Sequence, residues 1–86
     1  MYDQEARLLN RRGAELLQEG LHERAKSFLE TAEKILESAA SSGRIVDHCL
    51  VTSVLHNLAC YHQLTWNLDC CANYLEALLF NLNSEL

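Results

Sequence analysis

The sequence contains no proline and only three glycines among its 86 residues. Folds built from many short strands need these residues at their turns, so their scarcity argues against an all-β protein. Basic residues are missing from the second half of the chain: all seven lysines and arginines precede Ile45, and four acids follow it. Because that half offers no cations to phosphate groups, we predict that the protein does not bind nucleic acid.

Long apolar segments are also missing. The first five residues are polar and acidic, unlike the start of a secretory signal peptide. The longest uncharged stretch, residues 48–68, contains three histidines, which a membrane-spanning helix would have to desolvate. We therefore predict no membrane association.

The four cysteines, Cys49, Cys60, Cys70 and Cys71, lie mostly within apolar helical patterns. The adjacent pair, Cys70 and Cys71, is poorly placed to bridge itself. We expect all four to be free, small buried side chains, as free cysteine usually is. Free thiols predict a reducing, cytoplasmic location.

Apolar residues recur at helical spacing in four segments. Gly20 is a C-cap signal for the first segment, Ser-Ser-Gly at 41–43 closes the second, and Asn67 is a predicted N-cap of the fourth. Because every connection is short, consecutive helices are expected to pack antiparallel. The predicted fold is all-α, with two antiparallel helix-turn-helix hairpins in one domain, 1–86. The predicted helices span about Asp3–Glu19, His22–Ser41, Ile45–Leu64 and Leu68–Asn83.

The two hairpins match each other at a constant offset of 46 residues, so that Leu9 corresponds to Leu55 and Leu29 to Leu75. Gly13 corresponds to Ala59 in the same way. A glycine in the middle of a helix costs up to about 1 kcal/mol relative to alanine. We therefore predict that the returning helix closely approaches the first helix at Gly13.

This spacing resembles that of the tetratricopeptide repeat, a helix-turn-helix unit of about 34 residues. The matching positions are Leu9, Gly13, Leu16, Gly20, Ala25, Leu29 and Ala32 in the first hairpin, and Leu55, Leu58, Ala59, Leu68, Cys71 and Leu75 in the second. Arg12, Trp66 and Leu78 depart from the family pattern, and neither unit has the terminal proline. The resemblance places the repeats at about 6–39 and 52–85. The connection at about 38–51 is longer than in the family, so the second and third helices are expected to be one to two turns longer.

In this family the first helix of each repeat lines a concave groove, which implies a peptide-binding surface here. Arg7 and Arg11, one turn apart, would suit an acidic peptide, although Asn10 and Ala14 depart from the residues of a carboxylate clamp. The alternative is that Arg7, Arg11 and Arg12 form a solvated face that pairs with nearby acids. The groove residues implied by the resemblance are Arg7, Asn10, Arg11, Ala14 and Gln18, with Ser53, His56, Asn57, Cys60 and Gln63.

Two chemical alternatives have weaker support. His56 and Cys60 are four residues apart and share a helix face, as two ligands of a zinc ion would, but a structural site needs four ligands. A Cys60–His56 nucleophile pair on a bare helical surface has no oxyanion hole. The sequence also has no phosphate-binding glycine loop. We therefore predict no metal, no cofactor and no enzymatic activity.

The fourth predicted helix is apolar around much of its circumference, and Leu75 is one of these apolar residues. Stacks of such hairpins generally need at least about three repeats. We expect the uncovered surface to be buried by a continuing repeat array, by an obligate protein partner or by self-association, specifically a two-fold homodimer through the third and fourth helices. The predicted partner face consists of Leu68, Tyr74, Leu78, Leu79, Phe80 and Leu82.

The sequence thus predicts a non-enzymatic protein-interaction module, a scaffold or adaptor that binds a peptide segment or a helix of a protein partner. The alternative prediction is a small helical bundle that exists chiefly to oligomerise, with no peptide groove in use. Charge reversal of Arg7 and Arg11 distinguishes the two hypotheses, since only the first depends on these cations.

Overall fold

A computed structural model describes residues 2–83 of the chain. Within that range there is no strand, so the predicted all-α fold is confirmed. The second and fourth helices have the bounds predicted from the sequence, and the first is shifted by one residue. The helices are α1 (Tyr2–Gln18), α2 (His22–Ser41), α3 (His48–Leu64) and α4 (Leu68–Asn83).

The predicted start of the third helix at Ile45 is wrong, because α3 begins three residues later, at His48. Asp47 is its N-cap: the residue has an extended backbone, and its carboxylate accepts a hydrogen bond from the backbone N–H of Cys49 at 2.8 Å. This bond satisfies one of the N–H groups that a helix leaves free at its start. Since α3 has 17 residues, as α1 does, the added length of the first repeat lies in the 20-residue α2 and in residues 42–47.

The two elbows repeat the 46-residue offset in their hydrogen bonds. Leu21 N–H donates to the carbonyl oxygen of Leu16 at 2.9 Å, and Asn67 N–H donates to that of His62 at 2.8 Å. Gly20, with a φ of 80°, occupies the left-handed region in the first elbow, and Trp66, with a φ of 62°, does so in the second. Such a conformation costs a residue with a Cβ roughly 1–2 kcal/mol. Trp66 bears this cost while its ring stays largely exposed.

Each hairpin is held together internally, and α3 joins the two by packing against both α1 and α2. α4 packs chiefly on α3 and reaches the core only through Tyr74. The core therefore lies among the first three helices, and none of the residues of α4 is buried. The central cluster consists of Ala6, Leu29, Ala32, Leu36, Leu50, Val54 and Leu58.

The predicted close approach at Gly13 is confirmed. A Cβ added to this residue would lie 2.6 Å from both Cγ and Cδ2 of Leu29 and 3.5 Å from the carbonyl oxygen of Ala25. Leu29 is fully buried on α2. The missing side chain at position 13 therefore lets α1 and α2 approach each other with Leu29 between them.

The prediction that the cysteines are buried is wrong. Cys49 is exposed, whereas Cys60, Cys70 and Cys71 are half-buried, and all four are free thiols. The last two lie on α4, where no element in the described range covers the outer surface. Among residues 2–83, no helix is both long and apolar enough to span a membrane.

Candidate functional site

A cleft of about 390 Å³ lies between α1 and α3. It contains six of the ten groove residues implied by the sequence resemblance, together with Cys49 and Leu50, which the sequence did not indicate. Cys49 lies one helical turn before Ser53, and that spacing was the signal available for finding it. The lining residues are Arg7, Asn10, Arg11, Ala14, Cys49, Leu50, Ser53 and Asn57.

Two of the three arginines of α1 are engaged in ion pairs. Arg7 donates to Asp47 at 2.5 Å, and the guanidinium lowers the pKa of that carboxyl below its ordinary value, with a further contribution from the Cys49 N–H. Arg12 lies 3.3 Å from both Glu15 and Glu19. Arg7 and Arg12 therefore agree with the alternative prediction, in which the arginines form a solvated face and pair with nearby acids.

Arg11 differs from its neighbours. It is exposed at the cleft, and no carboxylate among residues 2–83 lies within ion-pairing distance of it. The other charged residue of the cleft lining, Arg7, is neutralised by Asp47. In a chain with a net charge of −5, the cleft therefore has a cation available to an anionic group.

A polar network forms the floor of the cleft. Asn10 is 7% exposed, and its Nδ2 donates to Oγ of Ser53 at 2.8 Å. Its Oδ1 accepts from Nδ2 of Asn57 at 2.9 Å. A buried amide is costly unless both its donor and its acceptor are used, so this arrangement ties α1 to α3. Asn10 thus positions Ser53 and Asn57 at the cleft.

Four of the ten predicted groove residues, Gln18, His56, Cys60 and Gln63, do not line this cleft. Nε2 of His56 lies 3.8 Å from Sγ of Cys60, but no group of three metal-ligating side chains occurs among residues 2–83. Burial, followed by the nearby Cys71, raises the pKa of the Cys60 thiol. A raised pKa keeps the thiol protonated at neutral pH, which is the opposite of what a nucleophile needs.

A second, more apolar crevice of about 240 Å³ lies where α2, α3 and the end of α4 meet. Val46, Val51 and Leu55 contribute to its lining, and Glu33 and Glu37 line it from α2. At the same place, Asn81 of α4 donates to Oγ1 of Thr52 at 2.8 Å. Sequence patterns did not indicate this crevice, because its walls come from three different helices.

His62 is buried where α3 meets α2 and α4. Its ring stacks on Tyr74, with centroids 5.4 Å apart, and meets Tyr61 edge-on at 4.9 Å. Nδ1 of His62 has no hydrogen-bond partner within the described part of the chain. Burial and then the positive charge of Lys26 lower the pKa of His62, against an opposing contribution from Glu30. The folded protein therefore favours the neutral imidazole.

This lowered pKa predicts a loss of stability in mild acid. In the unfolded chain His62 takes up a proton near pH 6.5, which is above its pKa in the folded state. The contribution of neutral His62 to the free energy of unfolding is therefore fully present above about pH 6.5 and decreases as the pH falls below that value. The raised pKa of Glu33, caused mainly by burial, acts in the opposite direction. Urea midpoints at a series of pH values, measured for the wild type and for His62→Phe, test the prediction. The variant should lose less stability on acidification; equal slopes would contradict it.

The residues of the predicted partner face do not share one environment. Leu68, Leu79, Phe80 and Leu82 are exposed. Tyr74 and Leu78 are both half-buried. The Tyr74 hydroxyl donates to Glu33 of α2 at 3.1 Å. Tyr74 thus belongs to the attachment of α4 to the core, whereas the four exposed residues are available for contact.

Comparisons with known proteins leave the function to be argued from geometry. No family model, no curated protein and no solved structure matches this chain. The likeness to the tetratricopeptide repeat therefore stays a prediction from the residues. Two surfaces are open to a binding partner: the cleft containing Arg11, and the uncovered side of α4.

Proposed function

We propose that this protein is a non-enzymatic protein-interaction module that binds an acidic peptide segment of a protein partner in the cleft between α1 and α3. The observation that carries the proposal is the cation of Arg11, which no carboxylate among residues 2–83 neutralises, beside the polar groups of Asn57 and Ser53. Guanidinium groups bind carboxylates through charge-assisted hydrogen bonds, and side-chain amides hold peptide backbones. The likeness to tetratricopeptide repeats supports a groove at this position.

The cleft is also suited to this use mechanically. Its walls are two helices, and its polar floor is fixed by the two hydrogen bonds of Asn10. A preorganised site loses less conformational entropy when a ligand binds than a site on a mobile loop does. We further propose a cytoplasmic location, which the free thiols support, because such thiols persist in reducing compartments.

The proposal predicts that a Glu-rich octapeptide with a free carboxyl terminus binds the cleft. Titration of the ¹⁵N-labelled protein should shift the amide signals of Arg11, Ser53 and Asn57, whereas the matching Lys-rich octapeptide should not. Arg11→Glu should weaken binding at least about tenfold, the equivalent of about 1.4 kcal/mol. Arg24→Glu is the matched control, since Arg24 is exposed on α2 and the change in net charge is the same. Equal losses in the two variants would show that only the net charge matters.

A second candidate function is self-association, with the cleft unused. It is favoured by α4, which has no buried residue although most of its large side chains are apolar. The two functions make different demands on Arg11. Binding of the acidic octapeptide requires its charge, whereas an oligomer formed through α4 should persist in Arg11→Glu.

A further inference from the structure

The exposed leucines of α4 follow a regular spacing. Leu68, Ala72, Leu75, Leu79 and Leu82 are separated by four, three, four and three residues, and we call this set the α4 seam. Apolar residues at alternating intervals of four and three form a single stripe along a helix, with a period of 3.5 residues. Another helix packs against such a stripe by inserting its own side chains between those of the seam.

All five residues of the seam are exposed to solvent. The four leucines are 60%, 44%, 60% and 42% exposed in chain order, and Ala72 is exposed as well. Exposed leucines scattered singly are common on proteins, but a continuous row of them is typical of an interaction surface. The spacing and the exposure together indicate a docking surface for an α-helix.

The first hairpin shows that the seam is not a by-product of the internal repeat. The corresponding positions of α2, 46 residues earlier, are His22, Lys26, Leu29, Glu33 and Leu36. There the two leucines are buried in the core and the other three positions are polar. In α4 the polar positions have become Leu68, Ala72 and Leu79, so the complete apolar row belongs to the second hairpin alone.

From these observations we propose that the seam is covered by α4 of a second copy of this protein, packed in parallel along a two-fold axis. The proposal rests on the second candidate function, self-association. An apolar 4–3 row is its own complement, because the side chains at one level of a parallel helix pair meet their equivalents in the partner. A second copy of this protein therefore already carries the apolar row that the seam requires.

The charges beside the seam favour the parallel arrangement. One edge carries Asp69 and Glu76, and the other carries Cys71 and Leu78. In an antiparallel pair like edges face each other, so Glu76 would oppose Glu76 of the second copy, and like charges at short range are unfavourable. In a parallel pair each acidic edge faces an uncharged one. A chain without basic residues after Arg44 thereby avoids repulsion between its own copies.

The size of the seam sets the expected affinity. The 16 residues of α4 extend about 24 Å at 1.5 Å per residue. A strip of this length covers only a few hundred Å² per copy, less than the roughly 800 Å² per partner of a standard interface. We therefore expect a dissociation constant in the micromolar range.

The test compares two changes on α4 by sedimentation equilibrium between about 1 μM and 1 mM protein. The double variant Leu75→Gln, Leu79→Gln removes the centre of the seam and should raise the dissociation constant at least about 100-fold. Phe80→Gln is the control: Phe80 is 77% exposed and larger, but lies about 100° around the helix from Leu79. It should change the dissociation constant less than about threefold. Because these side chains are exposed, circular dichroism should show the same helix content in all variants.

The outcomes separate the proposal from its premise. A wild-type chain that stays monomeric at the highest concentration would overturn both self-association and the second copy, leaving the helix of a different protein as the occupant. A dimer that survives the double variant, or that Phe80→Gln weakens as much, would overturn the seam but not self-association. In a dimer mixed from ¹³C-labelled and unlabelled chains, a nuclear Overhauser contact between the Leu68 methyl groups of the two copies supports parallel packing, because an antiparallel pair places these residues at opposite ends of the seam. Its absence overturns that arrangement.

Discussion

Replacing Leu58 with alanine is expected to lower the free energy of unfolding by about 2–5 kcal/mol. Leu58 is fully buried on α3, the helix that packs against all three others. Removing the isopropyl end of its side chain leaves a cavity, and neighbours from α1 and α2 are held by their own contacts and cannot close it completely. The loss therefore includes both the transfer of the apolar atoms and the empty volume.

The magnitude is large for a chain of this size. At about 0.05–0.15 kcal/mol per residue, 86 residues give a total stability of only about 4–13 kcal/mol. Urea denaturation followed by circular dichroism measures the change. Leu8→Ala is the matched control, because it deletes the same atoms from an exposed position on α1 and should cost less than about 0.5 kcal/mol. Similar losses at both positions would mean that Leu58 does not lie in the core as described.

Replacing Gly13 with valine is expected to destabilise the protein by about 2–3 kcal/mol, although glycine is itself a poor helix former. The new Cβ would lie 2.6 Å from two carbon atoms of Leu29, and the extra methyl groups would add to the clash. Leu29 is fully buried, so its side chain could move aside only by displacing its neighbours in the core. α1 and α2 would have to separate. Gln4→Val, at an exposed position of α1, reports the cost of a β-branched residue in the helix alone.

A double-mutant cycle distinguishes a clash from a general loss of stability. Leu29→Ala is destabilising by itself because it leaves a cavity, but it removes the atoms that a valine at position 13 would meet. Gly13→Val should therefore cost at least about 1 kcal/mol less in the Leu29→Ala background than in the wild type. Thermal or urea unfolding of the four proteins supplies the comparison. If the two losses simply add, close approach of Leu29 is not the reason for glycine at position 13.

Local patterns in the sequence predicted the helix ends at Gly20 and Asn67, where a cap signal marks each end. Gly20 lies in the left-handed conformation that its position required, and Oδ1 of Asn67 accepts from the N–H of Cys70 at 3.4 Å at the start of α4. The start of α3 was missed because the apolar pattern extends through Ile45 and Val46, whereas the helix begins after its cap, Asp47. Periodicity marks a helical face, but hydrogen bonds set where the helix begins.

The candidate cleft was predictable only in outline. The resemblance to a known repeat selected the two helices between which the cleft lies, and six of the implied residues meet there. It did not predict that Arg7 pairs with Asp47, 40 residues away, or that Asn10 is enclosed by Ser53 and Asn57. A sequence pattern gives the spacing of residues along one helix, whereas these pairs depend on how one helix is placed against another.

By itself, the sequence determined that residues 2–83 form four helices in two similar hairpins, because helical periodicity, caps and glycines act within a few residues of one another. It also determined that α4 carries more apolar surface than α3 alone can cover. Only the tertiary structure decided which apolar residues of α4 remain outside: Tyr74 is anchored to Glu33, while the α4 seam is left exposed. The physical reason is that burial depends on a surface brought from elsewhere in the chain: α2 packs against α1 and α3, so α3 is the main helix that covers α4.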